Sequence, residues 1–198
     1  MLESPRRIGV LLAAGRGSRM GGTKQLKLWP SADGPKTLIC AAYDAIRPIC
    51  EDMIVVLGHE ADAVVTALDD RPFHRAQSSP DRPMFESIRA GLCAAQLLDS
   101  TATIVLHPGD HPEVASATLR VLLDHSIQGT ACAIIPEYIG RGGHPVLIPP
   151  PVVAQILQTP CSEGLGQFWL DHPELCQRFA VDDPSILRDI DTPNDLPL

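Results

Sequence analysis

The chain has 198 residues, of which 44% are hydrophobic and 20% charged, a composition typical of a soluble globular protein. Its formal net charge of −8 argues against nucleic acid or an anionic membrane as the main partner. No stretch approaches the roughly 20 apolar residues that span a bilayer, and residues 1–7 do not resemble a secretory signal. We therefore expect one cytoplasmic domain over residues 1–198.

Short apolar runs alternate with segments of helical periodicity along the chain. The first run, Arg7–Ala13, is almost continuously apolar, as expected of a strand buried on both faces of a sheet. Further strands are predicted at 52–57, 73–77, 103–106, 131–135 and 144–148, and one ending near residue 181. Helices are predicted at 38–49, 60–68 and 114–123, in the segment with Ile88, Leu92 and Ala95 on one face, and once or twice in the tail. This alternation predicts an α/β fold, a three-layer α/β/α sandwich around a mostly parallel, Rossmann-like sheet.

The cysteines are widely spaced and include no CxxC pair, so we expect buried free thiols rather than disulfides. The six are Cys40, Cys50, Cys93, Cys132, Cys161 and Cys176.

A glycine-rich, basic segment, LLAAGRGSRMGGTK, begins within the first predicted strand. Such a loop at the end of a strand is where α/β sheets bind phosphates. The dinucleotide pattern G-x-G-x-x-G fails because Met20 stands in place of the third glycine. The P-loop pattern fails because Thr23 precedes Lys24 and Gln25 replaces the Mg²⁺-binding hydroxyl. Neither pattern accounts for the basic residues.

The signature L-x-A-G-x-G-x-R-M-G-x-x-K of nucleotidyltransferases matches this segment at every specified position. Glycines allow backbone N–H groups to approach a triphosphate closely. The planar guanidinium of Arg19 suits bidentate phosphate contact, and Lys24 suits a point charge beside the leaving pyrophosphate. The alternative is a glycine-rich turn with solvated basic side chains.

Two acidic segments supply candidate ligands for a divalent cation. Asp110 follows the strand in TIVLHPGDHPEV, where its side chain would face the same crevice as the glycine loop. A helix N-cap is its alternative role. The closing DIDTPNDL offers Asp191, with Asp189 as a substitute; a plain helix start at Thr192 is the alternative there. Mg²⁺ prefers such carboxylates together with phosphate oxygens and water.

The order of these motifs resembles that of the MobA-like NTP transferases, the molybdopterin cytidylyl- and guanylyltransferases. The segments that carry the resemblance are LAAGRGSRMGGTKQL, VVLGHEA, MFESIRAGL, HPGDHPEV, GRGGHPVLIP and DIDTPNDL. The branch it resembles most is that of the CTP:molybdenum cofactor cytidylyltransferases, although RMGG is closer to guanylyl members. The resemblance implies a fold of the nucleotide-diphospho-sugar transferase type.

The resemblance also implies an activity, Mg²⁺-dependent transfer of NMP, here CMP from CTP, to a phosphorylated acceptor with release of pyrophosphate. The expected acceptor is molybdopterin, and contact with a molybdoenzyme or its chaperone would follow. The alternatives are a GTP-using enzyme, a sugar- or alditol-phosphate nucleotidyltransferase of the same fold, or a non-catalytic nucleotide- or cofactor-binding chaperone.

Site residues follow from the matched motifs. Catalytic roles are expected for Arg19, Lys24 and Asp110, and metal ligation for Asp110 and Asp191. Nucleotide contacts are expected from Leu12, Ala13, Ala14, Gly15, Arg16, Gly17, Ser18, Arg19, Lys24 and Ser87. Two departures bear on the acceptor or base: PMFES replaces the family turn G-M-S-S-S, and His111 replaces the glutamine of G-D-Q-P. We expect Trp29 and Trp169 to pack in the core or a lid.

Overall fold

The computed structural model describes residues 5–15, 23–32, 34–127, 131–160 and 163–196. Within them lie ten strands: β1 Arg7–Ala13, β2 Leu28–Trp29, β3 Lys36–Thr37, β4 Asp52–Leu57, β5 His74–Gln77, β6 Thr103–Pro108, β7 Ala133–Tyr138, β8 Arg141–Gly142, β9 Val146–Ile148 and β10 Cys176–Ala180. The helices of the same residues are α1 Leu38–Ile46, α2 Ala61–Leu68, α3 Met84–Leu98, α4 Ser116–Ile127, α5 Pro150–Gln158 and α6 Leu165–Asp171.

The main sheet has the strand order β10-β7-β9-β6-β1-β4-β5, with β8 paired to β7. Strand β1 lies at its centre, parallel to both β4 and β6. Strand β9 runs antiparallel to its neighbours β6 and β7. The sheet is therefore mixed and mostly parallel, and the C-terminal ends of β1 and β6 open at the same edge, where Leu12 is in register with Pro108.

Two aliphatic cores cover the two faces of this sheet, which confirms the three-layer sandwich. Because side chains alternate along a strand, Ile8 and Val10 of β1 point to one face, and Leu11 and Ala13 to the other. The first face packs against α3, α5 and α6, and the second against α1, α2 and α4. Trp169 belongs to the first core.

Several element ends differ from the sequence-based expectation for local reasons. Helix α1 ends at Ile46 instead of residue 49, because Pro48 has no N–H to continue it, and Arg47–Ile49 forms one 3-10 turn. Strand β9 begins at Val146 instead of residue 144, since Pro145 cannot donate to the ladder; the His144–Pro145 bond is cis. Strand β6 continues to Pro108 by pairing with β1. Helix α4 starts two residues late, and β7 occupies 133–138 instead of 131–135.

Five of the cysteines lie among the described residues, and these five are free thiols, as expected. The expected burial holds for Cys40 and Cys50 but was wrong for Cys93, which is exposed, and for Cys132 and Cys176, which are half-buried. Cys161 lies outside the described residues. In the described part of the chain, none of the helices has the length and apolarity that crossing a membrane requires.

Candidate active site

A cleft of about 330 Å³ opens at the C-terminal ends of β1 and β6, beside the first turn of α3. This edge of a parallel sheet is the usual position of nucleotide sites in α/β proteins. The cleft is lined by Leu12, Ala14, Gly15, Lys24, Gln25, Ser79, Pro80, Arg82, Met84, Ser87, Pro108, Asp110 and Asp191. Segments far apart in the sequence therefore meet in one place.

The ammonium of Lys24 lies between two carboxylates in this cleft. Its Nζ is 2.6 Å from Oδ2 of Asp110 and 2.5 Å from Oδ1 of Asp191. Desolvation alone would lower the pKa of Lys24, but the two carboxylates outweigh it, and the pKa is raised. Lys24 therefore stays charged at neutral pH, and three of the residues singled out from the sequence form one ionic cluster.

The backbone fixes the two acidic segments against each other. Asp110 accepts a hydrogen bond at its carbonyl oxygen from the Ile190 amide, at 3.1 Å. The amide of Gly109 donates to the Leu12 carbonyl at 2.9 Å, which ties the same loop to β1. Ile190 is fully buried with Trp29 and Leu38 in a small third core. Asp191 thus leaves a packed segment directly at the cleft.

The turn that carries Lys24 is held from both sides. Thr23 donates its hydroxyl hydrogen to the carboxylate of Glu60, at the start of α2. Gln25 donates from Nε2 to the carbonyl of Gly15, at 3.3 Å, and so braces the start of the glycine-rich segment. The long side chain of Lys24 extends from this anchored turn into the cleft.

Three histidines pack behind Asp110 with their rings edge to face. His107 is fully buried in β6, and its Nε2 lies 2.8 Å from the His111 carbonyl oxygen, which makes Nε2 the protonated nitrogen. The rings of His111 and His144 are 5.2 Å apart. Burial lowers the pKa of all three and brings that of His144 to about 3, so the cluster is neutral at pH 7. His111, which replaces the family's glutamine, is buried rather than lining the cleft.

The residues predicted to contact the nucleotide differ in whether their side chains reach the cleft, because side chains alternate along β1. Leu12, Ala14 and Gly15 line the cleft. The side chain of Ala13 does not, because it points to the opposite face and packs in the second core. Any contact of Ala13 with a nucleotide must therefore come from its backbone. Ser87 also lines the cleft, and its buried hydroxyl donates to that of Ser78 at 2.9 Å.

Some candidate residues are placed less centrally or are not described. Arg16, Gly17, Ser18 and Arg19 lie outside the described residues. Asp189 is exposed and is not among the cleft-lining residues, whereas Asp191 is, which favours Asp191 as the ligand.

The PMFES segment forms the start of α3. Pro83 precedes the helix, Phe85 is buried in the first core, and Met84 is 71% exposed at the cleft rim. The departure from small residues therefore fills the core at Phe85. Met84, at the rim, stands where the family turn also has methionine. Six lining residues were not among the predicted site residues: Gln25, Ser79, Pro80, Arg82, Met84 and Pro108. The available signal was position along the chain, since Gln25 follows Lys24 directly and the others lie between β5 and the start of α3 or at the end of β6.

The donor set of the cleft suits a hard divalent cation. Two carboxylates already surround one cationic nitrogen, and their oxygens are the ligands that Mg²⁺ and Mn²⁺ prefer. Among the described residues there is no group of three or more His, Cys, Asp and Glu with metal-binding geometry. Two carboxylates are enough for a cation that also binds substrate phosphates.

Fold and cleft together define a nucleotidyltransferase of the nucleotide-diphospho-sugar transferase fold. Residues 9–175 match the MobA-like NTP transferase domain, and the chain belongs to this family. The molybdenum cofactor cytidylyltransferase of Escherichia coli (strain K12) is 26% identical over 190 residues, 94% of this chain and 91% of that protein.

Solved structures share this fold. Rv0371c from Mycobacterium tuberculosis H37Rv superposes with a TM-score of 0.79 at 29% identity, covering 96% of this chain and 95% of that one. A second structure of Rv0371c, with a TM-score of 0.76 at 28% identity and the same coverage, is a complex with manganese. A nucleotidyl transferase from Methanothermobacter thermautotroptrophicus has a TM-score of 0.78 at 24% identity, over 96% of this chain and 94% of that one, and shows the shared fold.

Proposed function

We propose that this protein transfers CMP from CTP to a phosphorylated acceptor, molybdopterin or the molybdenum cofactor, and releases pyrophosphate. The observation that carries the proposal is the cluster of Lys24, Asp110 and Asp191 in a cleft that Gly15 of the glycine-rich segment also lines. Similarity to the E. coli molybdenum cofactor cytidylyltransferase supports the choice of nucleotide and acceptor.

The proposed reaction is an in-line displacement at the α-phosphorus. An oxygen of the acceptor phosphate forms the new bond to Pα, the bond from Pα to the β-bridging oxygen breaks, and pyrophosphate leaves with that electron pair. Asp110 and Asp191 would hold Mg²⁺, which, when bound, neutralises charge on the α-phosphate. Lys24 and the backbone of the glycine-rich segment orient the leaving phosphates, and Arg19 is proposed for the same task. Catalysis then rests on positioning and electrostatics.

The choice of base rests on the small residue Ala14, since the side chain of Ala13 packs in the second core, and on the cytidylyltransferase relative. Ala14 lines the cleft, where a small side chain leaves room beside a base. The product would pass to a molybdoenzyme or its chaperone in the cytoplasm.

The test is to incubate the protein with molybdopterin, Mg²⁺ and each of the four NTPs, then identify the product by mass. Pyrophosphate release with CTP and a cytidylylated product would support the proposal. Asp110→Asn should abolish release, whereas Asp70→Asn, at an exposed position outside the cleft, should retain it.

Other outcomes each contradict a named part of the proposal. Release with GTP only would contradict the base. Release with sugar or alditol phosphates, but not with molybdopterin, would contradict the acceptor. Tight NTP binding without release under any of these conditions would favour the non-catalytic chaperone, and full activity of Asp110→Asn would contradict the metal role of Asp110.

A further inference from the structure

The position of Lys24 carries an inference that rests on the proposed function but concerns the protein before nucleotide binds. Its ammonium is held by the same two carboxylates that the proposal assigns to the divalent cation. The Lys24 side chain is 13% exposed, that of Asp110 21% and that of Asp191 39%. The ion pairs are therefore partly shielded from water, where charge interactions are stronger than at an open surface.

Two carboxylates gathered around one point repel each other unless a cation lies between them. The hydrogen bond from Ile190 to the Asp110 carbonyl holds their backbones together, so the carboxylates cannot separate far. Lys24 supplies the neutralising charge from within the chain. A divalent cation that enters without nucleotide must first displace this ammonium.

The geometry around Lys24 permits such a displacement. The turn on which it stands is anchored through Thr23 and Gln25, so the backbone of Lys24 stays in place. Its four-carbon stem can rotate and carry the ammonium to another partner within the cleft. The phosphates of a nucleotide offer that partner, and they bring further oxygen ligands for the cation.

We propose that Lys24 is the positioning residue of the Asp110–Asp191 pair in the nucleotide-free protein and moves onto the phosphates when cation and nucleotide arrive together. Lys24 thereby lowers the affinity of the carboxylates for a divalent cation alone and raises it for the cation–nucleotide complex. The cation and the nucleotide bind as a unit, and the carboxylates stay aligned between turnovers.

The test is a titration of the nucleotide-free protein with Mn²⁺, in which electron paramagnetic resonance measures the concentration of free Mn²⁺. Lys24→Gln should bind Mn²⁺ about tenfold or more tightly than wild type, because it removes the ammonium that the divalent cation must otherwise displace from between the two carboxylates. Lys24→Arg, which keeps the charge, should bind it as weakly as wild type. Lys27→Gln, three residues further on and outside the cleft, controls for loss of a nearby positive charge. An affinity in Lys24→Gln equal to or below that of wild type would overturn the proposal.

With CTP present the order should reverse, because Lys24→Gln also loses a phosphate contact and should bind the Mn²⁺–CTP complex more weakly than wild type. A second measurement follows Lys24 in the wild-type protein and so does not depend on a variant that removes its charge. Lysine-selective NMR, with the Lys24 signal assigned through Lys24→Arg, should show a shift with Mg²⁺ plus CTP and little shift with Mg²⁺ alone at the same concentration. Equal shifts under both conditions would contradict the displacement even if Lys24→Gln fails to fold.

These measurements use no acceptor and no turnover. They therefore test the role of Lys24 independently of the proposed reaction. Pyrophosphate release by wild type without a gain of Mn²⁺ affinity in Lys24→Gln contradicts the role of Lys24 alone. The gain of affinity without release from any NTP contradicts the proposed reaction and leaves the positioning role supported.

Discussion

The carbonyl oxygen of Asp110 accepts a hydrogen bond from the amide of Ile190, at 3.1 Å, and this bond joins the two acidic segments of the cleft. Ile190 is fully buried, so its amide is a fixed point. Asp191 follows it directly, which sets the separation of the two carboxylates through backbone and core packing. The placement of Asp110 therefore depends on residues that need no contact with a ligand.

Gly109→Ala should displace the loop that carries Asp110. A Cβ at this position would lie 2.8 Å from the Leu12 carbonyl oxygen and 2.9 Å from Cδ1 of Ile39, closer than real Cβ contacts allow. We expect a loss of about 1–3 kcal/mol in the free energy of unfolding. We also expect a loss of kcat that is larger than any change in KM for the nucleotide, because the carboxylate moves relative to the phosphates. Urea unfolding and steady-state kinetics measure the two effects.

Gly166→Ala is the matched control for this change. Gly166 is an exposed glycine in α6, and a Cβ there meets nothing within 4 Å. Alanine in a helix is favoured over glycine by about 0.5–1 kcal/mol, so this variant should be slightly stabilised and fully active. Unchanged stability and kcat in Gly109→Ala would mean that the loop accommodates the methyl group.

The fold and the ionic cluster differ in how far the sequence predicts them. Strands β1 and β4 are continuous apolar runs, so the two-sided burial of the sheet follows from composition alone. The alternation within β1 also separates Ala13 from Leu12 and Ala14, and a stricter use of that period would have placed the Ala13 side chain in the core. The ends of α1 and β9 were not predicted, because they depend on the missing backbone N–H of a proline, which hydrophobic periodicity does not show.

The contact of Lys24 with both carboxylates was beyond sequence reasoning. Asp110 is predicted by residue type and position after a strand, Asp191 by its place in the closing DIDTPNDL, and Lys24 by a motif. Their meeting depends on the strand order, which puts β6 next to β1, and on the burial of Ile190 beside Trp29. The three-histidine cluster is similar: His107 and His144 adjoin because β9 pairs with β6.

Ser87→Ala should separate a ligand contact from a structural one. Ser87 lines the cleft, and its hydroxyl donates to Ser78 in the interior, which leaves its oxygen lone pairs for a nucleotide donor. We expect KM for the nucleotide to rise about five- to tenfold, with kcat little changed. Ser78→Ala removes the same hydrogen bond, but Ser78 is not among the residues that line the cleft. This variant should lose stability without a rise in KM. Equal KM values in the two variants would exclude a nucleotide contact by Ser87.

His107→Leu should weaken the loop from behind. The Nε2–H of His107 bonds the His111 carbonyl, and leucine would leave that buried oxygen without a donor, at a cost of about 1–3 kcal/mol. Mn²⁺–nucleotide affinity should fall with it, because Asp110 lies between the two histidines in the chain. His107→Gln keeps a side-chain N–H donor and should recover most of both losses. Equal behaviour of the two variants, measured by urea unfolding and Mn²⁺ titration, would show that ring packing matters more than the hydrogen bond.

Asp183→Asn should destabilise the protein at neutral pH and less so in acid. The Asp183 carboxylate accepts hydrogen bonds from the Ala115 amide, the Thr118 hydroxyl, and both the amide and hydroxyl of Ser185.

Desolvation raises the pKa of Asp183, but these hydrogen bonds outweigh it and the pKa is lowered. A lowered folded-state pKa gives stability that is present above the unfolded value of about 3.9 and is lost as the pH falls through the folded value. We expect Asp183→Asn to cost about 1–3 kcal/mol at pH 7, and the difference from wild type to shrink below about pH 4. Urea unfolding at several pH values measures it, with Asp182→Asn, at an exposed neighbour, as control. A difference that stays constant from pH 7 to pH 3 would show that the charge of Asp183 does not contribute.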